Sequence, residues 1–302
     1  MTKQPFIRDL AEVMESLHRT LEAKARKEKE AATPEPLQDT PVPQAKVVRL
    51  PYWNDRERGT PNCFLRSALF AAIYGNKSRR YLKNALLAVQ GDITIRYTGE
   101  QLSQSDLDLV MAALHLARQH PLGAICHFRG YAFLKSMGRS NNADNYAWMS
   151  ATIKRLIACA VEIRLGQRVF DGSILSSCIR DEGSDVYKLT FDPHFVKLFG
   201  ANDWTAIDWN IRRKLTRSPL AQWIYDYAAS HIGTKIKLET LQKLSGRGDD
   251  TPKIFNKAVR RAKAMLEKAK AATIAIDAAG LVTITHKLSP SQIRHAARKS
   301  TR

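Results

Sequence analysis

The sequence predicts a mainly α protein with small β-hairpins (α+β): two tandem winged helix-turn-helix domains preceded by a helical or disordered N-terminal extension. Three observations lead there. Two segments run through the same order of elements. A long helix in the second segment carries apolar residues along one flank and cations along the other. The basic excess of the chain is concentrated around that helix. A length of 302 residues, at roughly 150 per domain, accommodates two domains.

Taken in order, Phe6 to about Ala32 is helical, with Leu10, Val13, Met14, Leu17 and Leu21 at helical spacing. Past Leu21 the pattern fades into a charged stretch, and Thr33 to Pro43 reads as an extended, Pro-rich linker. Residues 1–46 therefore form the extension, 47–200 the first winged-helix domain, 201–288 the second, and 289–302 a basic tail.

In the second domain, Ser218-Pro219 combines an N-cap with proline at the first helical position. It opens a helix with Leu220, Trp223, Ile224, Tyr227 and Ala228 on one face, ended by Gly233. A short helix follows at Leu238–Ser245, then the loop Gly246-Arg247-Gly248-Asp249-Asp250. Thr251-Pro252 repeats the start signal for a helix to about Ala271. Two alternating runs around Asp277-Ala278-Ala279-Gly280 make a β-hairpin. The first domain echoes this plan. Ser103–Gln119 is an amphipathic helix capped by Ser103 or Ser105, Ile125–Phe128 a strand and Tyr131–Met137 a short helix. The loop Gly138–Asn142, a helix from about Asp144 to Cys159 and a strand Ala160–Leu165 complete it. Lys135, Gly138 and Arg139 stand 108 positions before Lys243, Gly246 and Arg247, which supports an internal duplication.

The formal net charge is +19, of which residues 201–302 supply +12, with 20 basic and 8 acidic side chains. A region this basic attracts polyanions, because cations that neutralise phosphates release condensed counterions. On a wheel from Thr251, the apolar residues Ile254, Phe255, Ala258, Val259, Ala262, Met265, Leu266 and Ala269 fall within an arc of about 140°. The opposite flank holds Lys253, Asn256, Lys257, Arg260, Arg261, Lys263, Glu267 and Lys268. Arg pairs with guanine bidentately, Asn with adenine, and Lys suits phosphate or guanine. Lys253, Asn256, Lys257, Arg260 and Arg261 are thus the candidates for base edges, near the N-terminal end that such helices insert. Lys263 and Lys268 suit phosphates, and Arg247 joins them from the preceding loop. A merely solvated flank would mix both signs, and here one Glu stands among six cations.

The equivalent helix of the first domain is less basic. Its polar candidates are Asn142, Asn145, Ser150, Lys154 and Arg155, while Trp148, Ile153, Leu156 and Ile157 read as core. This domain either touches DNA through Asn and phosphate contacts or serves as an association surface. The wing would make minor contacts through Thr283, Thr285 or Lys287. The tail, with Arg294, Arg298, Lys299 and Arg302, is either a phosphate-gripping arm or a solvated end.

Other chemistry finds no support. Gly75-Asn76-Lys77-Ser78 lacks both the upstream glycine and the Gly-Lys pair of a phosphate-binding loop. The eight histidines form no His-x-His or His-Glu-x-x-His pattern, so metal-assisted nicking has no ligand set. His127 and His231 read as structural, and no cofactor is implied. Four separated cysteines argue against a disulfide framework and for a reducing cytoplasm, and no apolar run of about 18 residues exists. The start of the chain is no export signal.

Several blocks then resemble one family. Trp53-Asn54-Asp55, Arg58-Gly59-Thr60-Pro61-Asn62 and Arg66-Ser67-Ala68-Leu69-Phe70 look like the start of the conserved region of TrfA-type plasmid replication initiators. Tyr97-Thr98-Gly99-Glu100-Gln101-Leu102 and Ser218-Pro219-Leu220-Ala221-Gln222-Trp223 match the same type, so the resemblance runs from about residue 50 to 285. It implies a protein that binds directly repeated origin sites (iterons) through two winged-helix modules, helps open an adjacent AT-rich element, and helps bring in host DnaA, the replicative helicase and the sliding clamp. It also implies monomers that initiate and dimers that limit copy number. Gln44–Leu50 departs from the Gln-Leu-x-Leu-Phe clamp peptide of such proteins. The alternative within the binding class is a winged-helix transcriptional repressor. A nicking replication protein is the enzymatic one.

Overall fold

The structure, a computed structural model, describes residues 15–16, 18–24, 50–74, 79–119, 125–181, 183–200, 203–231 and 234–287. It divides into two units, 1–46 and 47–302. In the first, α1 (residues 18–24) is exposed throughout; Thr20 Oγ1 donates to the Ser16 carbonyl and Leu21 stays 58% exposed. The rest of the apolar stripe expected there, Leu10 to Leu17, lies outside the described residues, as do the linker, Gly75–Ser78, Gly233 and the basic tail.

The second unit is a mixed α/β body with small, almost wholly antiparallel sheets. β1 (Glu57–Pro61) leads into a one-turn helix α2 (Asn62–Leu65), and β2 (Phe70–Ala71) follows. β3 (Tyr81–Leu86) and β4 (Ile93–Glu100) are joined by β7 (Ala160–Leu165) and β8 (Arg168–Gly172) in a four-stranded sheet of order β3-β4-β7-β8. In its middle Ile95 faces Ile163 and Tyr97 faces Val161, an apolar cross-strand ladder. β5 (Leu102–Ser103) pairs in parallel with β2 and ends in a capping box, in which Ser103 and Asp106 satisfy one another's backbone groups at the start of α3 (Gln104–Ala117).

The helix expected over Ser103–Gln119 is therefore found, but its polar flank is not solvated: Gln104, Asp106 and Asp108 are all buried. β6 (Ile125–Arg129), α4 (Gly130–Ser136) and α5 (Ala143–Ala158) follow as the sequence predicts. β9 (Ser177–Asp181) and β10 (Val186–Thr190) complete the sheet β6-β10-β9, and a 3-10 helix, Pro193–Leu198, brings Phe195 into the core.

β11 (Trp204–Asp208) pairs back onto β1, and α6 (Trp209–Lys214) starts from the Asp208 cap. α7 (Pro219–Ala229) has the expected Ser218 cap and N1 proline and is buried on every side, so it is a central core helix rather than a half-exposed one. It stops at Ala229, before Gly233. β12 (Thr234–Lys237), α8 (Leu238–Leu244), α9 (Pro252–Lys268), β13 (Ala272–Ile276) and β14 (Leu281–His286) close the chain. α9 ends earlier than the alternation suggested, because Lys270 turns to φ +53 and Ala271 N–H reaches back to the Leu266 carbonyl. The hairpin gains a third strand, β12, which has no turn signal of its own and pairs with β14.

A single apolar cluster runs from Leu50 to Ile284. It is crossed by contacts over the boundary read near residue 200. Besides β1–β11, Trp223 Nε1 donates to the Ser67 carbonyl and Arg212 Nε to Asp108 Oδ1. All four cysteines are free, and burial pushes the Cys63 thiol up to about 12. Among the described residues no helix is long and apolar enough to cross a membrane.

Candidate nucleic-acid interface

The cationic helix is held in place by its two ends and its apolar flank. Thr251 Oγ1 accepts from the Ile254 N–H at 3.4 Å and Pro252 sets the first turn. Such a cap contributes about 1 kcal/mol. Phe255, Val259, Ala262 and Leu266 are buried in the core, and α7 packs against the helix. Lys253, Asn256, Lys257, Arg260, Arg261, Lys263 and Lys268 are all exposed, as the wheel requires. Lys263 Nζ lies 4.0 Å from Glu267 Oε1. Lys253, Lys257, Arg260, Arg261 and Lys268 make no ion pair with any described residue. Like charges one turn apart, such as Lys253 and Lys257, repel by a few tenths of a kcal/mol each. Lys253 also sits at the positive end of the helix dipole. Among the described residues these cations find no counter-charge, so the array destabilises its own helix and suits an external anion.

Ile254 departs from the wheel. It belongs to the apolar arc by spacing but stands 53% exposed in the first helical turn, beside Lys253 and Lys257. Its position at the edge of that arc was legible in the sequence; its exposure was not, because it depends on how far α7 reaches along the helix.

Arg247 corrects the sequence reading. Its Nε donates to Asp250 Oδ2 at 2.7 Å and its Nη1 to the Ala72 carbonyl at 3.0 Å, and the side chain is 12% exposed. It fastens the loop before α9 to the first half of the body and has no fork left for phosphate.

Arg155 of α5 is the second correction. Its Nη1 reaches Asp106 Oδ1 at 2.9 Å and its Nε lies 3.2 Å from Glu100 Oε2. Asp106, fully buried, also takes Arg79 Nη1 at 2.8 Å and Thr152 Oγ1 at 3.2 Å. Arg79 and two residues of α5, Thr152 and Arg155, thus share one carboxylate. Arg155 is needed there because a lone buried carboxylate is costly. Asn142 and Asn145 have structural duties too. Asn142 Oδ1 caps α5 by accepting the Asn145 N–H at 3.0 Å, and Asn145 Nδ2 donates to the Ser140 carbonyl at 2.9 Å. Ser150 is half-buried, and Lys154 is the exposed cation among these five.

At the hairpin, Thr285 and Lys287 are exposed and Thr283 is half-buried. His231 Nδ1 contacts the Tyr227 carbonyl at 2.7 Å, and burial lowers its pKa to about 4, as expected of a structural imidazole. Among the described residues no group of three His, Cys, Asp or Glu could hold a metal ion.

The family described as TrfA protein matches residues 23–282. The chain belongs to the TrfA family. As a member it is a plasmid replication initiator that binds DNA. Among solved structures, it is similar to a crystal structure of domains 2 and 3 of RctB, with a TM-score of 0.52 at 12% identity, covering 76% of this chain and 99% of that one. A second crystal structure of RctB domains 2–3 gives 0.49 at 12%, covering 75% and 97%. The Pi initiator protein in complex with iteron DNA gives 0.47 at 14%, covering 61% and 91%. No curated protein matches the sequence.

Proposed function

We propose that this TrfA-family protein recognises iterons at a plasmid origin through two winged-helix modules, residues 47–200 and 201–288, with α9 as the principal reading helix. The observation that carries the reading is the exposed face of α9: cations and one Asn, in register along the helix, with almost no carboxylate to neutralise them. Arg260, Arg261, Asn256, Lys257 and Lys253 approach base edges, and Lys263 and Lys268 approach phosphates. Ile254, exposed at the tip, offers an apolar contact for a thymine methyl. In the first module the surface left for DNA is smaller: Asn142, Ser150 and Lys154, in place of the five residues expected.

The mechanism needs no covalent step. Repeated sites line up several copies in phase, and strand opening draws on the difference in binding energy between deformed and relaxed duplex. Host DnaA and the replicative helicase are then recruited in the cytoplasm, with the sliding clamp a further partner, and a monomer–dimer balance sets copy number. No observation favours the repressor reading. Footprinting on the flanking plasmid DNA tests both: a footprint longer than one module covers, repeated near an origin, with permanganate-reactive thymines beside it, supports initiation. Protection of a promoter palindrome without such thymines would replace it.

A further inference from the structure

We propose that the cleft between the loop before α5 and the end of α6 is a second DNA contact, a clamp for backbone phosphates that the sequence reading did not include. The inference rests on the DNA-binding reading above and adds a separate site to it.

The cleft has a volume of about 760 Å³ and is lined by Arg139, Arg213, Lys214, Asn210, Thr216 and the carboxylate of Asp108. Asn210, Arg213 and Lys214 follow from α6, whose Asp208 cap accepts the Ile211 N–H at 3.0 Å. Arg217, also exposed, follows one turn later. Arg213 reaches across to the loop: a Cβ on Gly138 would fall 2.5 Å from its Nη2, and Gly138 holds φ +72. The absence of a side chain there leaves room for the guanidinium. Arg139 is fixed on the other wall, stacked 3.5 Å from the Trp148 ring centre and donating from Nη1 to Asn145 Oδ1 at 3.1 Å.

The cations are not balanced from within. Asp108 Oδ1 accepts from the buried Arg212 Nε at 2.7 Å, and both its oxygens face Gln222 Nε2 at 3.4 and 3.3 Å. Arg212 is shared with the buried Asp226, so the two carboxylates and Arg212 together leave at most one negative charge against the three cations of the cleft. Arg139, Arg213 and Lys214, the cations that line the cleft, make no ion pair with any described residue. Three such guanidinium and ammonium groups around one concave site call for an anion with several oxygens, and Arg forks suit phosphate. The topology selects its source. One wall leads directly into α5 and the other into the Ser218 start of α7, so the cleft lies where the two modules join. A duplex read by both modules would have a phosphate backbone running between them.

The test uses the full chain and origin DNA, with inorganic phosphate and ATP as free-anion probes. The double variant R213A/K214A should lower the slope of log K against log salt by about 1.8 and weaken binding by roughly 30-fold at 0.15 M salt. It should do so equally on specific and competitor DNA. R213K/K214R should restore both. Ethylation of individual phosphates that blocks the wild type should lose its effect in the double variant. If the slope is unchanged while Arg260→Ala still weakens binding, the clamp is overturned and the DNA reading stands. If the wild type shows no preference for origin DNA, the DNA reading itself fails. Saturable binding of ATP or phosphate that R213A/K214A abolishes, with the DNA slope intact, would overturn the clamp and assign the cleft to a free anion.

Discussion

α5 and α9 hold the same place in the two halves of the body, yet a matched arginine meets a different fate on each. Both follow a short helix and a loop with glycine at positive φ, Gly138 and Gly246. Both bury one flank, and Met149, Ile153 and Leu156 stand 106 positions before Phe255, Val259 and Ala262. In that register Lys154 matches Arg260 and Arg155 matches Arg261. Arg261 is exposed and unneutralised; Arg155 is 11% exposed and bound to Asp106 and Glu100. The same residue type at the same helical position is left to solvent in one half and tied into the core in the other. What separates them is the neighbour: α5 packs against α3, which brings a buried carboxylate, whereas α9 packs on α7 through apolar side chains.

The sharpest way to break the comparison is to substitute the matched arginines. Arg155→Ala leaves Asp106 with Arg79, Thr152 and Ser103 as partners and should cost about 1–3 kcal/mol of stability by urea unfolding. Arg261→Ala should stay within about 0.5 kcal/mol, while weakening DNA binding. Similar stability losses in the two variants would mean that α9 is as embedded as α5.

A pH series probes the imidazole of each half. His115, in the last turn of α3, accepts from Trp53 Nε1 at its Nδ1 (3.1 Å), and burial with Arg58 and Arg118 nearby lowers its pKa to about 4. His231 in the second half is lowered to about 4, chiefly by burial. Both are depressed from 6.5, so their contribution is present above pH 6.5 and is lost as pH falls toward 4. Each should add a slope of up to about 1.4 kcal/mol per pH unit in that window. His231→Gln should remove one slope and leave the other, measured by unfolding at pH 7, 5.5 and 4.

The two loop glycines differ by less. A Cβ at Gly246 would lie 2.6 Å from Ala71 Cβ and 3.1 Å from its Cα, which cannot give way. At Gly138 the obstacle is the far end of the flexible Arg213 side chain. Each Gly→Ala change carries about 1–2 kcal/mol for the left-handed backbone, and Gly246→Ala adds about 1–3 kcal/mol of overpacking. Thermal midpoints of the two variants would check the order.

These contrasts also show what was legible in the sequence. The Ser218-Pro219 and Thr251-Pro252 starts, the hairpin around Gly280 and the outward cations of α9 follow from local rules of capping, turn chemistry and 3.6-residue periodicity. The fate of Arg155 and Arg247 did not, because it depends on partners 49 and 175 positions away. The buried polar flank of α3 escaped for the same reason: Arg79, Arg155 and Arg212 reach it from other stretches, and periodicity counts Asp106 and Asp108 as solvated. The exposed face of Arg213 and Lys214 is not legible, because a six-residue helix carries too little pattern.

The finest distinction concerns whether the halves read DNA in the same way. Lys154 and Arg260 share a register position, but an ammonium offers a point charge where a guanidinium offers a fork that fits the guanine edge. Arg260→Ala should therefore cost about 1–3 kcal/mol and relax the preference at one base pair. Lys154→Ala should lower the salt slope by about 0.9, the value for one phosphate, and leave the ranking of sequences intact, as should Lys268→Ala. Competition binding across single-base variants of one repeat separates these outcomes. A change in base preference with Lys154→Ala would make α5 a second reading helix. An unchanged salt slope would leave the first module to association between copies, with α9 reading the repeat.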